Sequence, residues 1–404
     1  MSDRFVPHNN QQVVDAVLWA VNEQKPLEII GQGSKQVLGR PMQVDHTLDL
    51  SKLSGITLYE PEELVISARA GTPIAEIEAE LEKNSQELQF EPMDYGPLLG
   101  GEPDKGTIGG VLATNLSGPR RIKSGSARDH ILGINAVSGR GEAFKSGGRV
   151  MKNVTGYDLS KGMAGSWGTL AAITDVSFKV LPKAPDEITV VLEGLLDEGA
   201  STAMAIAMGS SAEVSGAAYL PEGVSARFSD KPAGGAAATL LRLEGISQSV
   251  TYRSKALQKL LKAFGKSSVL ERDQSRHLWR EIRDVHPFAN GSDKPVWRLS
   301  VTPSRAHEIL LALRMQTSVD AYYDWQGGLI WLEMQGEVEA ELVRFTLNAY
   351  GGGHATLVRA DSETRTSVPV FQPQEPALAA LSRRLKDSFD PKGILNPGRM
   401  VEDL

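Results

Sequence analysis

Cysteine is missing from this chain of 404 residues. Its absence excludes disulfides, thiol nucleophiles, cysteine-ligated iron–sulfur clusters and cysteinyl cofactor links together. If such a protein moves electrons, a non-cysteine cofactor or a partner must carry them. No run of about 18 or more apolar residues occurs, so no membrane-spanning helix is expected. The opening MSDRFVPHNN lacks the basic-then-apolar pattern of a secretory signal, which makes a cytoplasmic chain the expectation. Positive charge is not in excess either: the net charge of −7 argues against a nucleic-acid surface. Internal repeats and low-complexity tracts are absent. What is present is ordinary for a globular protein, with 41% hydrophobic and 23% charged residues. The length asks for two or three domains.

Periodicity places the elements. Gln11 to Glu23 puts Val13, Val14, Val17, Leu18 and Val21 on one helical face. Leu27 to Ile30 reads as a short strand, as do Thr47 to Leu50 and Leu64 to Ala68. Pro73 opens a helix over Ile74 to Lys83. Pro92 to Gly118 is glycine-rich and irregular. Ile131 to Val137 and Arg149 to Lys152 read as strands around a Ser138-Gly139-Arg140-Gly141 turn. The β-branched run Ala171 to Leu181 is a further strand, closed by Pro182-Lys183-Ala184-Pro185, the best domain boundary.

Beyond it come strands at Ile188 to Leu192, Ala212 to Leu220, Thr239 to Leu243 and Val296 to Val301. A hairpin, Ala321 to Trp325 with Leu329 to Met334, turns at Gly327-Gly328. Helices at Ala200 to Met208, Tyr252 to Phe264, Arg276 to Val285 and His307 to Met315 alternate with them. This suits an antiparallel sheet covered on one face by helices. A last helix, Pro376 to Ser388, precedes the string DPKGILNPGR.

Four segments carry chemistry. Gly31-Gln32-Gly33-Ser34-Lys35 follows a strand, where the N–H groups of a glycine-rich turn can form a concavity for anionic oxygens. An ordinary strand-to-loop turn is the competing reading, and a Rossmann fingerprint is excluded because Gln36 stands where its third glycine belongs. Gly106 to Gly118 (GTIGGVLATNLSG) spaces small residues and hydroxyls so that backbone can approach a pyrophosphate, although alone it also reads as a packed helix start. Ser124 to Gly133 holds an Arg128-Asp129 pair and His130, which read as a structural ion pair and a surface or supporting histidine. Gly147 to Pro182 combines a glycine-rich entry, the turn Asn153-Val154-Thr155-Gly156-Tyr157-Asp158, the loop Gly165-Ser166-Trp167-Gly168-Thr169 and the strand already named.

In this order the four segments resemble the FAD-binding domain of the vanillyl-alcohol oxidase and p-cresol methylhydroxylase (PCMH) superfamily, over roughly Val13 to Leu181. DPKGILNPGR, Asp390 to Arg399, is similar to the terminal signature of its FAD-linked 2-hydroxy-acid oxidase branch. The resemblance implies an α+β fold: a PCMH-type FAD-binding domain of two α+β subdomains (residues 1–184), an α+β antiparallel-sheet cap on the substrate side (185–375), and a segment (376–404) returning to the FAD site. It implies that Gly31, Gln32, Gly33, Ser34 and Lys35 hold the FAD pyrophosphate. It implies further that Thr107, Gly109, Gly110 and Ser117 contact pyrophosphate and flavin, that Gly168, Thr169 and Ile173 enclose the adenosine side, and that Asn396 lies near the flavin. No histidine stands beside Gly31 to Lys35, so the FAD is expected to be non-covalent.

One departure bears on catalysis. The self-sufficient enzymes of that branch carry a His-x-Gly-Asp-Gly-Asn motif whose histidines bind a metal, and no such string occurs here. The nearest features are Tyr323-Asp324-Trp325-Gln326-Gly327-Gly328 and Gly351-Gly352-Gly353-His354, so no metal site is expected. The shortened tail resembles the FAD-binding subunit family of bacterial glycolate oxidase (glycolate dehydrogenase) complexes. That implies a larger FAD-linked catalytic subunit and an iron–sulfur subunit as partners, oxidation of glycolate or D-lactate to the 2-oxo acid, and any attachment to the inner membrane face only through the complex. Arg298, His354 and Arg359 are the candidates for substrate contact, because a guanidinium fork suits a carboxylate. Two alternatives stay open: a self-sufficient FAD oxidase of another small alcohol or hydroxy acid, and a structural subunit that has lost its flavin.

Overall fold

A computed structural model describes residues 3–149 and 156–402. The chain divides into two units, one of residues 1–117, 125–183 and 373–404, the other of residues 118–124 and 184–372. Both are α+β.

The first unit holds two principal sheets. The smaller is parallel, with Asp3–Phe5 and Leu27–Ile30 on either side of His46–Asp49. The helix Asn10–Glu23 packs on it through Val13, Ala16, Val17 and Ala20. That helix starts where the Asn9 side chain accepts the Gln12 N–H and stops where Gln24 turns left-handed. The larger sheet is antiparallel, in the order Ile56–Glu60, Val65–Arg69, Ala171–Lys179, Ile131–Ser138, Ala143–Gly147. Helices Ile74–Glu82 and Ile108–Thr114 bury Ile77, Leu81, Ile108, Val111 and Leu112 in its core.

Two expectations change here. The hairpin partner of Ile131–Ser138 is Ala143–Gly147, five residues whose ladder follows from the tight Ser138–Gly141 turn. Arg149, the first residue of the expected strand, lies in a bend, and Val150 to Lys152 fall outside the described residues, as do Asn153 to Thr155 of the turn. The stretch Pro92 to Gly118 is not wholly irregular: Thr107 caps the helix Ile108–Thr114 by accepting the Gly110 N–H at 3.3 Å.

The second unit is built on one eight-stranded antiparallel sheet, ordered Ser267–Leu270, Asp186–Glu193, Ala238–Gly245, Gly216–Leu220, Val319–Asp324, Leu329–Met334, Val296–Val301, Gly353–Arg359. Strand alternation separates its faces. Ile188, Val190 and Leu192 point into a core shared with helices Asp197–Met208, Ser247–Leu260, Ala306–Arg314 and Ala340–Ala349. On the opposite face the helix Arg272–Arg283 docks by polar contacts: Trp279 Nε1 donates to Thr189 Oγ1 at 2.8 Å, and Ser275 Oγ donates to Glu187 at 2.6 Å. One helix therefore lies on the face expected to be bare. The segments Ser267–Leu270, Gly353–Arg359 and Ala340–Ala349 are elements that the periodicity does not reveal.

Candidate functional site

Three loops and the C-terminal tail of the first unit converge on one cleft of about 760 Å³, including its open mouth. That is within the range of roughly 300–1,000 Å³ usual for cofactor and ligand sites. The first loop is Gly31 to Gln36, leaving the end of the strand Leu27–Ile30. The second is the helix Ile108–Thr114 with its cap, contributing Thr107, Gly109, Gly110, Ala113 and Thr114. The third is Trp167-Gly168, running into Ala171 and Ile173 of the long strand. Asn396 and Arg399 supply the tail.

These walls touch closely. A Cβ built on Gly31 would stand 2.4 Å from Thr107 Oγ1, so only glycine lets the first loop approach the helix start. The third loop is tied to the second, as Trp167 N–H donates to the Ala113 carbonyl at 2.8 Å and Gly165 N–H to Leu112 at 3.1 Å. The tail binds the first loop and the third. Asn396 Oδ1 accepts the Ile29 N–H at 2.7 Å and its Nδ2 donates to the Trp167 carbonyl at 2.7 Å. Arg399 Nη2 donates to the Lys35 carbonyl at 2.7 Å.

Lys35 sets the electrostatics. Its ammonium donates to Ser34 Oγ at 3.1 Å. Although the side chain keeps some exposed area, burial of the ammonium pushes its pKa down to about 8, and the nearby Asp94 carboxylate offsets only part of that effect. A cation held this way, beside the Ser34 and Thr107 hydroxyls and glycine N–H groups, gains by meeting an anion. The arrangement fits a dinucleotide: donors for phosphate oxygens, and an apolar wall of Ile29, Leu50, Ala171 and Ile173 for a ring.

Of the residues singled out from sequence, Gly31, Gln32, Gly33, Ser34, Lys35, Thr107, Gly109, Gly110, Gly168, Ile173 and Asn396 line this cleft together. Ser117 and Thr169 do not. Ser117 is buried with its hydroxyl accepting the Ala127 N–H at 3.3 Å, and the Thr169 hydroxyl donates to the Ser166 carbonyl at 2.7 Å. His130 is not on the surface but buried, its ring 5.4 Å from that of Phe90. Asp129 accepts from the Ser126 N–H and hydroxyl, both at 2.8 Å, while Arg128 Nε donates to the Lys161 carbonyl, so each serves the local backbone. Sequence reasoning did not find Trp167, Thr114 or Arg399 as lining residues. All three stand inside segments singled out from the sequence, but the role of Arg399 runs through the Lys35 carbonyl, a partner that the segment itself does not mark.

The three candidates for substrate contact all lie in the second unit. Arg359 gives its guanidinium to structure, donating to the carbonyls of Lys294 and Phe288, to Ser292 and, at 2.9 Å, to buried Glu333. His354 is exposed on the strand Gly353–Arg359. Arg298 lies over the Trp325 ring at 5.0 Å, and Arg121 lies over the same ring at 4.7 Å. Among the described residues no group of three or more histidines, aspartates or glutamates has the geometry to hold a metal ion. Nor is any helix among them long and apolar enough to cross a membrane.

Comparison with known proteins agrees with this geometry. The family described as "FAD binding domain" matches residues 4–147, and "FAD linked oxidases, C-terminal domain" matches residues 372–400. The glycolate oxidase subunit GlcE of Escherichia coli (strain K12) is 36% identical over 396 residues, spanning 98% of each chain. The glycolate oxidase subunit GlcD of Bacillus subtilis (strain 168) is 24% identical over 99% of this chain and 89% of its own. A D-lactate dehydrogenase of Anaerostipes hadrus is 33% identical over 36% of this chain and 29% of its own. Among solved structures, p-cresol methylhydroxylase with substrate bound superposes with a TM-score of 0.73 at 15% identity, covering 99% of this chain and 88% of that one. An alkyldihydroxyacetonephosphate synthase reaches a TM-score of 0.71 at 18% identity, covering 98% and 75%.

Proposed function

This chain belongs to the family of the glycolate oxidase subunit GlcE, and from that premise we propose that it is the FAD-carrying subunit of a complex that oxidises glycolate, or the related D-lactate, to the 2-oxo acid. The observation that carries this reading is the similarity to that subunit over 98% of each chain joined to a glycine-walled cleft that holds the Lys35 ammonium.

In this reading Gly31 to Lys35, Thr107, Gly109 and Gly110 hold the pyrophosphate of a non-covalent FAD. Gly168 and Ile173 border the adenosine side, and Asn396 fixes the loop between them. A bound flavin supplies the two-electron acceptor that oxidation of a 2-hydroxy acid needs, and can release electrons singly. The protein's own part is orientation and exclusion of water. The backbone N–H groups of the first loop and the Lys35 ammonium neutralise the pyrophosphate, while Ile29, Leu50, Ala171 and Ile173 keep the slot apolar. For the substrate carboxylate, the candidate is Arg298, whose guanidinium lies over the Trp325 ring and suits a carboxylate fork. Electrons leave to an iron–sulfur partner, in keeping with a chain that has no cysteine of its own, and a larger FAD-linked subunit shares the catalysis. Contact with the inner face of the membrane comes through that complex.

The test is the absorbance of the purified chain, with and without glycolate. Oxidised-flavin bands that persist with glycolate alone and bleach only after the partner subunits are added support the subunit reading. Bleaching by glycolate in the isolated chain would make it a self-sufficient oxidase. A chain that takes up no FAD on reconstitution would sink both.

A further inference from the structure

The helix Pro376–Phe389 is inverted in an informative way. Its leucines Leu378, Leu381 and Leu385 remain 43–54% exposed, while its one buried residue is Lys386, at 5%. Lysine is among the residues least often buried unless paired. Here it is fully engaged: the ammonium donates to Asp390 Oδ2 at 2.7 Å, to the Thr169 carbonyl at 2.7 Å and to the Leu395 carbonyl at 3.0 Å. Asp390, 1% exposed, in turn accepts the N–H groups of Ile394 at 2.9 Å and Leu395 at 2.8 Å. An apolar side chain would cover the same area but could not join these groups.

What the pair joins are the parts of the cleft. Thr169 follows Trp167-Gly168 of the third loop. Ile394 and Leu395 precede Asn396, whose backbone is held left-handed at φ 43° and whose side chain bridges Ile29 and Trp167. Leu395 lies in a parallel bridge beside Leu27, with the Leu27 N–H donating to the Ile394 carbonyl at 2.8 Å. Four side chains, Lys386, Asp390, Asn396 and Arg399, are each at most 7% exposed, and each ends on backbone of the cleft's walls or of the tail itself.

We propose that Lys386 and Asp390 are positioning residues for the dinucleotide cleft, closing the C-terminal tail as a clasp that fixes the first and third loops at binding distance. This rests on reading the cleft as the FAD site. Replacing a buried ion pair often leaves stability unchanged or raises it, whereas breaking one by removing a single partner costs heavily. The pair's value therefore lies in where it holds the loops. The cofactor and the clasp support one another, because FAD gains its contacts only with the tail docked.

The test compares the full-length wild type with Lys386→Met and with Leu81→Ala. The last is a cavity control in the same unit, fully buried and not among the residues that line the cleft. FAD affinity of cofactor-free protein is titrated by flavin fluorescence, melting is followed by circular dichroism, and cleavage of the tail by limited proteolysis. The expected result is at least a tenfold loss of FAD affinity in Lys386→Met beyond that of Leu81→Ala, after both are compared at equal distance below their melting temperatures. Its tail is also expected to be cut faster without FAD, with saturating FAD restoring protection. Equal affinity in Lys386→Met and Leu81→Ala overturns the clasp alone. A wild-type chain that takes up no FAD overturns the cofactor reading and the clasp with it.

Discussion

Substituting Lys35 should pull stability and cofactor binding in opposite directions. The cofactor-free fold holds this ammonium where burial moves its pKa from 10.5 to about 8. At about 1.4 kcal/mol for each unit, such a shift is worth about 3 kcal/mol against the charged form. The folded-state pKa is lowered, so the penalty is complete below about pH 8 and fades as the pH rises toward 10.5. Lys35→Met keeps the stem and removes the charge. At neutral pH the cofactor-free variant should gain about 1–3 kcal/mol, roughly 2–4 °C in melting temperature for each kcal/mol in a unit of this size. It should lose the charge-assisted contact to the pyrophosphate, about 1.5–3 kcal/mol, or roughly 10–100-fold in FAD affinity. Two measurements check this: thermal melts of flavin-free protein, and equilibrium titration with FAD from pH 7 to pH 9.5. Wild-type affinity should fall above about pH 8 as the ammonium loses its proton, and the variant's should stay flat. A variant that melts lower than wild type while keeping its FAD would refute the reasoning, since Lys35 would then be a structural ion.

Gly33 sits at φ +78°, so Gly33→Val strains the first loop as well as narrowing it, and the purified protein should lose nearly all its flavin by absorbance. Asn396→Leu removes the bridge between Ile29 and Trp167 and leaves a half-buried N–H and carbonyl unmatched, at about 1 kcal/mol each. FAD affinity and melting temperature should both fall, and unchanged values in both would contradict the bridge. Arg298→Leu should raise the KM for glycolate about tenfold or more in the assembled complex while flavin content stays normal, and an unaltered KM would remove Arg298 from the substrate site. Leu313→Ala empties a fully buried position in the second unit, costing about 2–5 kcal/mol on urea unfolding, with FAD affinity unaffected.

Much of this architecture is readable from local signals, and the exceptions share a cause. The strand Leu27–Ile30 and the strand Val296–Val301 stand in the structure as their apolar runs and flanking breakers predict. The helix Asn10–Glu23 differs from expectation by one residue, because an Asn cap and an apolar stripe agree with its packing. By contrast, Ser267–Leu270 is a half-buried edge strand with two serines, and it exists by pairing with Asp186–Glu193. Ala143–Gly147 has little strand propensity and is a strand because its neighbour is. The helix Ala340–Ala349 carries Phe345 at 72% exposure among its apolar residues, which blurs its helical stripe. In each case a tertiary partner supplies what composition does not.

The same distinction runs through the candidate site. GQGSK and GTIGG announce themselves because close backbone approach demands glycine, a requirement written into the residue itself. Lys386 announces nothing, and Arg399 stands in the tail signature without showing its partner, since they hold carbonyl oxygens 217 and 364 residues away in sequence. Taken alone, GQGSK also reads as an ordinary strand-to-loop turn and GTIGG as a packed helix start. The tail completes the site by fastening the loop after Leu27–Ile30 to the loop before Ala171–Lys179. Buried polar clasps of this kind are a poor source of net stability, because desolvation consumes most of the attraction. Their concentration around one cleft is therefore better explained by the geometry they impose than by the energy they add. Changes in the tail should consequently lower cofactor affinity beyond what their cost in stability accounts for.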